Sequence, residues 1–390
     1  MKFFHVYKRT EMNVTSIPIV LIGIGNVGRA VLRQILDVRK HYAERTGLYL
    51  QPVCVSDSTG VMYNPDGLSE DVLQSILRAR SQSRRIVTLP GAQQKESVKE
   101  MLKPGTIIVD VTASGEMLKL FRTGLEHGCS IVLANKKPVA SHWEDAHWLF
   151  DHPNVRYEAT VGAGLPVIST LRQLRETGDR ITAVEGCMSG TLGFLCAEIE
   201  RGVAYSAAVR EAKSLGYTEP DPRDDLSGQD VARKALILAR TAGWPLEPEA
   251  IEVEPMFPQS LSSVDVEEFM EATVKLDSMY GSENQEAQAN GNVLRYIARV
   301  SPTGGKVGLV AVPRESAWGA LRGSANFIAF STMRYDAIPL VVSGPGAGAE
   351  VTAAGVLGDI MSLINAERKV EHEAGGNEIR RNLGGFYRIN

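Results

Sequence analysis

Residues 17–36 read IPIVLIGIGNVGRAVLRQIL. Ile19 to Ile22 form an apolar run of buried-strand type, Gly23, Gly25 and Gly28 follow at the spacing G-x-G-x-x-G, and Val27, Val31 and Leu32 then recur on one side of a helix. A glycine triplet of this spacing carries meaning only between a strand and a helix, and here it has both. The first glycine permits a tight turn, the second lets backbone approach a pyrophosphate, and the third packs helix on strand. Phosphates then meet the free N–H groups and the positive dipole end of the helix. Gly23, Gly25, Asn26, Val27 and Gly28 are therefore candidate dinucleotide contacts.

Outward from this unit, LQPVCVSD ends at Asp57, and GTIIVDVTAS and CSIVLANKKP follow with helical stretches between them. The pattern predicts a Rossmann-type, doubly wound parallel sheet, in which ligands lie beyond the carboxyl ends of the strands. That rule singles out Asp57, Thr112, Ala113, Ser114, Asn135 and Lys136. Thr112 and Ser114 serve equally well as helix caps, and Lys136 as a solvated loop lysine. Asp57 stands where an acid accepts the ribose 2′-OH of NAD, and no Arg or Lys follows in SDSTGVMYNPD to meet the 2′-phosphate of NADP.

A chain of 390 residues exceeds one ordinary core and calls for two domains. With 44% apolar residues, 23% charged residues and a formal charge of −4, it has no electrostatic footprint for nucleic acid or anionic lipid. No apolar run reaches the roughly 18 to 20 residues of a membrane helix. The opening MKFFHVYKRTEMN lacks the apolar core and cleavage site of a secretory signal, so a cytoplasmic location is expected. Cys54, Cys129, Cys187 and Cys196 show neither C-x-x-C nor a partnered histidine spacing and read as buried free thiols.

Beyond residue 155 a second, α+β domain on a mixed sheet is expected over 156–339, with strand-like runs at GNVLRYIARV, GKVGLVAVP and NFIAFST. IPLVVSGPGAGAEVTAAGVLGDIMSLI repeats the order strand, glycine turn, helix, and residues 340–368 are expected to complete the first domain, residues 1–155. Residues 369–390, with no apolar period, read as a flexible tail. Residues 215–234, LGYTEPDPRDDLSGQDVARK, gather Glu219, Asp221, Asp224, Asp225 and Asp230 ahead of Lys234. Gln229 to Arg240 lack Gly and Pro and form a helix. At 100° per residue Gln229, Arg233 and Arg240 share a polar stripe, whereas Asp230 and Lys234 form an i,i+4 pair at the edge of the apolar face. A merely solvated pair would more often lie on the stripe with the arginines; a surface ion pair beside capping acids is the plainer alternative.

Together GIGNVG, ANKKP, EATVGAGLPVI, SGTLGF, LGYTEPDPRDDLSGQDVARKALILAR and GPGAGAEVTAAGVLGD resemble homoserine dehydrogenase, in order, from about residue 17 to about 366. The resemblance implies reversible, NADP- or NAD-dependent reduction of L-aspartate 4-semialdehyde to L-homoserine, on the route to threonine, methionine and isoleucine, by a homodimer. It makes Lys136 and Lys234 the active-site lysines and Glu219, Asp230 and Asp225 the substrate-side acids. Gly190 and Thr191 supply the substrate-side turn. Gly344, Gly346 and Gly348 either present backbone N–H groups to the cofactor or merely make a tight turn, and Gly346 and Gly216 are counted with the cofactor contacts. Glu158, Val161, Ala163 and Leu165 match a site for a monovalent cation, sodium, held largely by backbone oxygens. Phe194 departs from the pattern, standing where an aromatic hydroxyl is expected. The chain ends soon after GVLGDI, leaving no room for a regulatory ACT domain, so cooperative inhibition by threonine is not expected.

The chemistry agrees with the residues. Hydride arriving at an aldehyde carbon leaves an alkoxide, which needs a cation and a proton donor. A second lysine lowers the proton affinity of the first, and acids suit the substrate's α-ammonium. Two rivals remain open at this point. An aspartate-semialdehyde dehydrogenase needs a cysteine nucleophile, for which no cysteine stands in a suitable turn. A non-catalytic dinucleotide-binding protein would be expected to have lost Lys136, Lys234 or Glu219, and all three are present.

Overall fold

The computed structural model describes residues 14–93, 101–323 and 325–383. The opening segment read for a secretory signal lies outside the described residues, apart from Val14 onward. Strands β1 (Thr15–Ile22), β2 (Leu48–Ser56), β3 (Val61–Tyr63), β4 (Ile107–Asp110), β5 (Ser130–Leu133) and β6 (Val155–Arg156) form a sheet in the order β3-β2-β1-β4-β5-β6. β1 runs parallel to β2 and β4, and β3 turns back, antiparallel on β2. Ile19, Val20 and Leu21 are fully buried at its centre, as a strand covered on both faces requires.

The second sheet comprises β7 (Ile181–Cys187), β8 (Ile251–Val253), β9 (Asn292–Ser301), β10 (Gly304–Pro313), β11 (Ala325–Thr332) and β12 (Leu340–Pro345), in the order β12-β11-β7-β9-β10-β8. Its neighbours are antiparallel except β10 on β8. The mixed α+β character expected after residue 155 is found, with the three strand-like runs as β9, β10 and β11.

The chain divides into two compact units, one of residues 1–112, 119–132 and 357–390, the other of 113–118 and 133–356. The division falls earlier than the expected boundary at 155, and local bonds give the reason. Arg240 Nη1 donates to the Val139 carbonyl at 2.9 Å and the Trp143 N–H to Glu247 at 2.9 Å, which fastens residues 139–143 to the second unit. At the other end of the chain, the helix Ala349–Leu383 carries the backbone well past residue 369, where a tail was expected. NAERKVEHEA is rich in helix formers, and Gly375 and Gly376 each cost only about 1 kcal/mol there. Residues 384–390 lie outside the described residues.

The helix Gln229–Thr241 lies in the core of the second unit: Val231 to Thr241 are buried apart from Arg233. This corrects the expected polar stripe. Arg240 has a fully buried side chain, its Nε on the Leu246 carbonyl at 3.0 Å and its guanidinium 3.7 Å from Glu247. Periodicity marks a position as polar without saying whether water or protein satisfies it.

Candidate active site

In the first unit the glycine turn is held closed by contact. A Cβ on Gly28 would lie 2.1 Å from the Gly23 carbonyl oxygen, and one on Gly23 would press on Val111 and Thr112 at 3.0–3.1 Å. Nothing crowds Gly25. The helix Asn26–Thr46 begins with no side-chain cap and no acid in its first turn, so its N-terminal N–H groups are left for an anion. A dinucleotide pyrophosphate fits this end, and the Thr112 N–H, bound to Asp110 at 2.9 Å, marks the neighbouring edge.

Asp57 follows β2 as expected, but its carboxylate is already engaged. Oδ1 accepts from the Thr59 N–H at 2.7 Å, the Thr59 hydroxyl at 2.6 Å and the Gly60 N–H at 3.1 Å, and Oδ2 from the Ile86 N–H at 3.0 Å. Burial works to raise this carboxyl, and these hydrogen bonds outweigh it and hold it below the usual range. Four donors fill about all the acceptor sites a carboxylate has. The cation missing from SDSTGVMYNPD comes instead from the helix Glu70–Ser81. Arg80 lies 3.6 Å from Asp57 Oδ2, donates through Nε to the Ile24 carbonyl inside the glycine turn at 3.3 Å, and through Nη1 to the Arg84 carbonyl at 2.9 Å. Its Nη2 makes no hydrogen bond among the described residues. No spacing rule in the sequence points to Arg80, because its position follows from packing one helix against the turn.

In the second unit both predicted lysines meet on one carboxylate. Lys136 Nζ lies 3.2 Å from Asp230 Oδ1 and Lys234 Nζ 2.8 Å from Asp230 Oδ2. Lys234 Nζ also donates to the Met188 carbonyl at 2.6 Å, just past the end of β7. Lys136 opens the short helix Lys136–Val139, capped by Asn135, whose Oδ1 accepts from the Lys137 N–H at 3.1 Å and whose Nδ2 donates to the Ser114 carbonyl at 2.7 Å. Asn135 thus ties Lys136 to the segment Ala113–Ser114. Burial, helped by the Lys234 and Arg233 charges, holds the Lys136 ammonium below its ordinary value despite Asp230. Burial works to raise the Asp230 carboxyl, but Lys234 and Lys136 together hold it well below the usual carboxylate range. The result is a permanent anion clamping two ammonium groups, one of them with a loosened proton.

The remaining acids sort by partner. Asp221 pairs with Arg223 at 2.6 Å, and Arg223 also binds the Leu261 and Val264 carbonyls, which makes this pair part of the loop's frame. Asp225 Oδ1 receives the Thr191 hydroxyl at 3.2 Å, and Oδ2 the Glu219 N–H at 2.8 Å. Burial raises the Asp225 carboxyl against these two bonds, and the Glu219 and Asp230 charges add to the rise. Thr191, beside Gly190 in the helix Gly190–Glu200, also donates to the Tyr217 carbonyl at 2.6 Å. Gly216 sits at the turn after the helix Tyr205–Ser214, and the Phe194 ring meets that of Tyr217 edge-on at 5.1 Å. Tyr217, Met188 and Asn135 join the site here; the sequence reading assigned no role to Tyr217 or the Met188 carbonyl.

The segment proposed to hold a cation is a tight turn. Gly162 and Ala163 are both left-handed, with φ +77° and +57°, unusual for the alanine. The Glu158 carboxylate is committed to the helix Val167–Glu176, accepting from the Ile168 N–H at 2.6 Å and the Ser169 N–H at 2.9 Å. Burial nonetheless raises this carboxyl. The four cysteines are buried and free, and burial pushes the Cys54, Cys187 and Cys196 thiols up to about 12 and Cys129 to about 11, so none is a nucleophile.

The homoserine dehydrogenase family model matches residues 166–361, and that for the family's NAD-binding domain residues 23–157. The homoserine dehydrogenase of Paracoccidioides brasiliensis is 38% identical over 373 residues, covering 90% of this chain and 99% of that one. The chain belongs to the homoserine dehydrogenase family. It is accordingly an NAD(P)-dependent oxidoreductase. Lys136 lies in the stretch matched by the NAD-binding model, and Asp230 and Lys234 in the stretch matched by the homoserine dehydrogenase model. The bifunctional aspartokinase/homoserine dehydrogenase 2 of Zea mays is 36% identical over 367 residues, and the chain spans about 40% of that protein's length. A hyperthermophilic archaeal homoserine dehydrogenase mutant, solved in complex with NADPH, superposes with a TM-score of 0.70 at 25% identity, covering 90% of this chain and 98% of that one. No helix of the described residues is long and apolar enough to cross a membrane.

Proposed function

We propose that the chain interconverts L-homoserine and L-aspartate 4-semialdehyde at the Lys136–Asp230–Lys234 cluster, in threonine, methionine and isoleucine biosynthesis. The observation that carries this reading is the single carboxylate holding both lysines, at 3.2 and 2.8 Å. NAD(P)H, when bound, supplies the hydride. Lys234 gives its proton to the oxygen of the new alkoxide, and Lys136 adds the positive charge that stabilises that oxygen. Asp230 keeps the two ammonium groups together without taking a proton itself, and the Met188 carbonyl fixes the direction of Lys234. Glu219 and Asp225 face the substrate ammonium, with Thr191 and the turn at Gly190 holding Asp225 in place. In homoserine oxidation the step reverses: neutral Lys234 takes the hydroxyl proton as the hydride leaves for the oxidised cofactor. The aspartate-semialdehyde dehydrogenase alternative is tested by adding inorganic phosphate and aspartate 4-semialdehyde with the oxidised cofactor: no phosphate-dependent reduction of the cofactor is expected, and its appearance would install that rival.

The acid side of the pH profile follows from the two aspartates. A carboxyl raised in the fold gains its proton first as pH falls, and one held low gains it last, so Asp225 titrates ahead of Asp230. The acid limb of kcat/KM for homoserine is expected to lie above the ordinary aspartate range and to flatten in Asp225→Asn, at a lower plateau. An unchanged limb in that variant would remove Asp225 from substrate binding.

A monovalent cation, sodium, at the turn of Glu158, Val161, Ala163 and Leu165 is part of the same reading. Its support is the left-handed alanine and a set of hard backbone oxygens, with Glu158 contributing through its carbonyl, since its carboxylate caps a helix. Exchange of sodium for tetramethylammonium is expected to lower activity and thermal stability; equal values in both salts would discard the site. The homodimer and a cytoplasmic location belong to this proposal too, the former checked by the mass of the protein in solution.

A further inference from the structure

Lys136 is carried by a helix of a single turn, Lys136–Val139. So short a helix is not held by its own backbone bonds, and its place in the site is set by what grips its two ends. At the first end Asn135 caps it and is itself tied to the Ser114 carbonyl at 2.7 Å. At the last end the Val139 carbonyl accepts from Arg240 Nη1 at 2.9 Å. Arg240 stands on the helix Gln229–Thr241, the same element that supplies Asp230 and Lys234. Asp230 and Arg240 are about 15 Å apart along its axis at 1.5 Å per residue. The long helix therefore holds the short one at two separated points, the Lys136 ammonium at Asp230, 3.2 Å away, and the Val139 carbonyl at Arg240.

The two points differ in strength. The side chains of Lys136 and Asp230 are 30% and 38% exposed, and an ion pair that open to water holds a flexible lysine weakly. The Arg240 side chain is wholly out of solvent, with Nε on the Leu246 carbonyl at 3.0 Å and the guanidinium over the Trp143 and Phe150 rings at 5.5 and 6.0 Å. Its burial opposes folding. Desolvation pushes this guanidinium down to about 10 against the pull of Glu247 and Glu249, and Nη2 makes no hydrogen bond among the described residues, Glu247 Oε2 being 3.7 Å away. An apolar side chain of similar volume would avoid the cost of a buried charge with an unmet donor. Stability alone does not call for arginine at this position.

We propose that Arg240 is a positioning residue for Lys136, gripping the Val139 carbonyl so that the two lysines keep their spacing on Asp230. The inference rests on the reading that Lys136 and Lys234 act on homoserine. Arg240→Met, which keeps the buried stem and drops the guanidinium, is made in the unaltered chain and in Lys136→Ala, and kcat for homoserine oxidation is measured per folded protein alongside Tm. In the unaltered chain it is expected to lower kcat by about 10- to 100-fold, as a misplacement of about 1 Å does. In Lys136→Ala the same change is expected to cost no more than about twofold, because the group it positions is gone. Arg240→Lys, an ammonium in place of the fork that reaches two carbonyls, is expected to fall between and carries the same comparison should the methionine variant fail to fold. Equal losses of kcat in both backgrounds, or full kcat in Arg240→Met with a lowered Tm, would overturn the proposal. Absence of homoserine-dependent NADP reduction in the unaltered chain, or full turnover in Lys136→Ala, would instead sink the reading of the site, and this inference with it.

Discussion

Lys234→Ala is expected to lose turnover by about 10²-fold or more, the usual range for a general acid, while NADPH affinity survives. The reason is the geometry of Nζ, fixed by Asp230 at 2.8 Å and the Met188 carbonyl at 2.6 Å, with the side chain largely out of solvent. Lys234→Arg is expected to rescue little, because a guanidinium keeps its charge but does not release a proton near neutral pH. Removing the lysine also leaves Asp230 with Lys136 as its only ammonium partner among these groups, so Lys136 should hold its proton more tightly in the variant. A surface ion pair would predict the opposite pattern, near-normal turnover in both variants and a stability change of at most about 1 kcal/mol. Turnover and NADPH Kd measured side by side decide between them, and an active alanine variant removes Lys234 from the mechanism.

Arg80→Ala is expected to weaken NADPH binding by about 10- to 100-fold, the range for a hydrogen bond to a charged group, while NADH binding changes little. Asp57 has given its acceptor sites to Thr59, Gly60 and Ile86, so it has little left for a ribose 2′-OH, and the guanidinium of Arg80 stands beside it with an Nη2 that makes no hydrogen bond among the described residues. Both cofactors are expected to work, with Arg80 setting the tilt toward NADP(H). Arg80→Lys should recover part of the affinity, since an ammonium binds phosphate as a point charge without the planar fork. Equal losses for NADPH and NADH would mean that Arg80 only braces the glycine turn through Ile24.

What could be read in the sequence was local and periodic. The glycine turn is a contiguous grammar, and Asp230 with Lys234 is one helical turn, so both are recoverable from spacing. Lys136 was a candidate by its place after a strand, but its role beside Lys234 came through family resemblance, because its contact with Asp230 joins residues far apart in the chain. Arg240 was misread as solvated, since a helix wheel cannot show that the Leu246 and Val139 carbonyls wait for its guanidinium. Asp57 was placed correctly at the end of β2, yet its loop's appetite for hydrogen bonds depends on Ile86, and its cation depends on how the helix Glu70–Ser81 packs.

The most direct test of the central claim is the purified chain with L-homoserine and oxidised NADP, followed by the absorbance of the reduced nicotinamide, with the product identified chemically. Homoserine-dependent formation of NADPH together with aspartate 4-semialdehyde is the predicted result. Binding of NADPH with no homoserine-dependent reduction would contradict it and leave a dinucleotide-binding protein that keeps the fold.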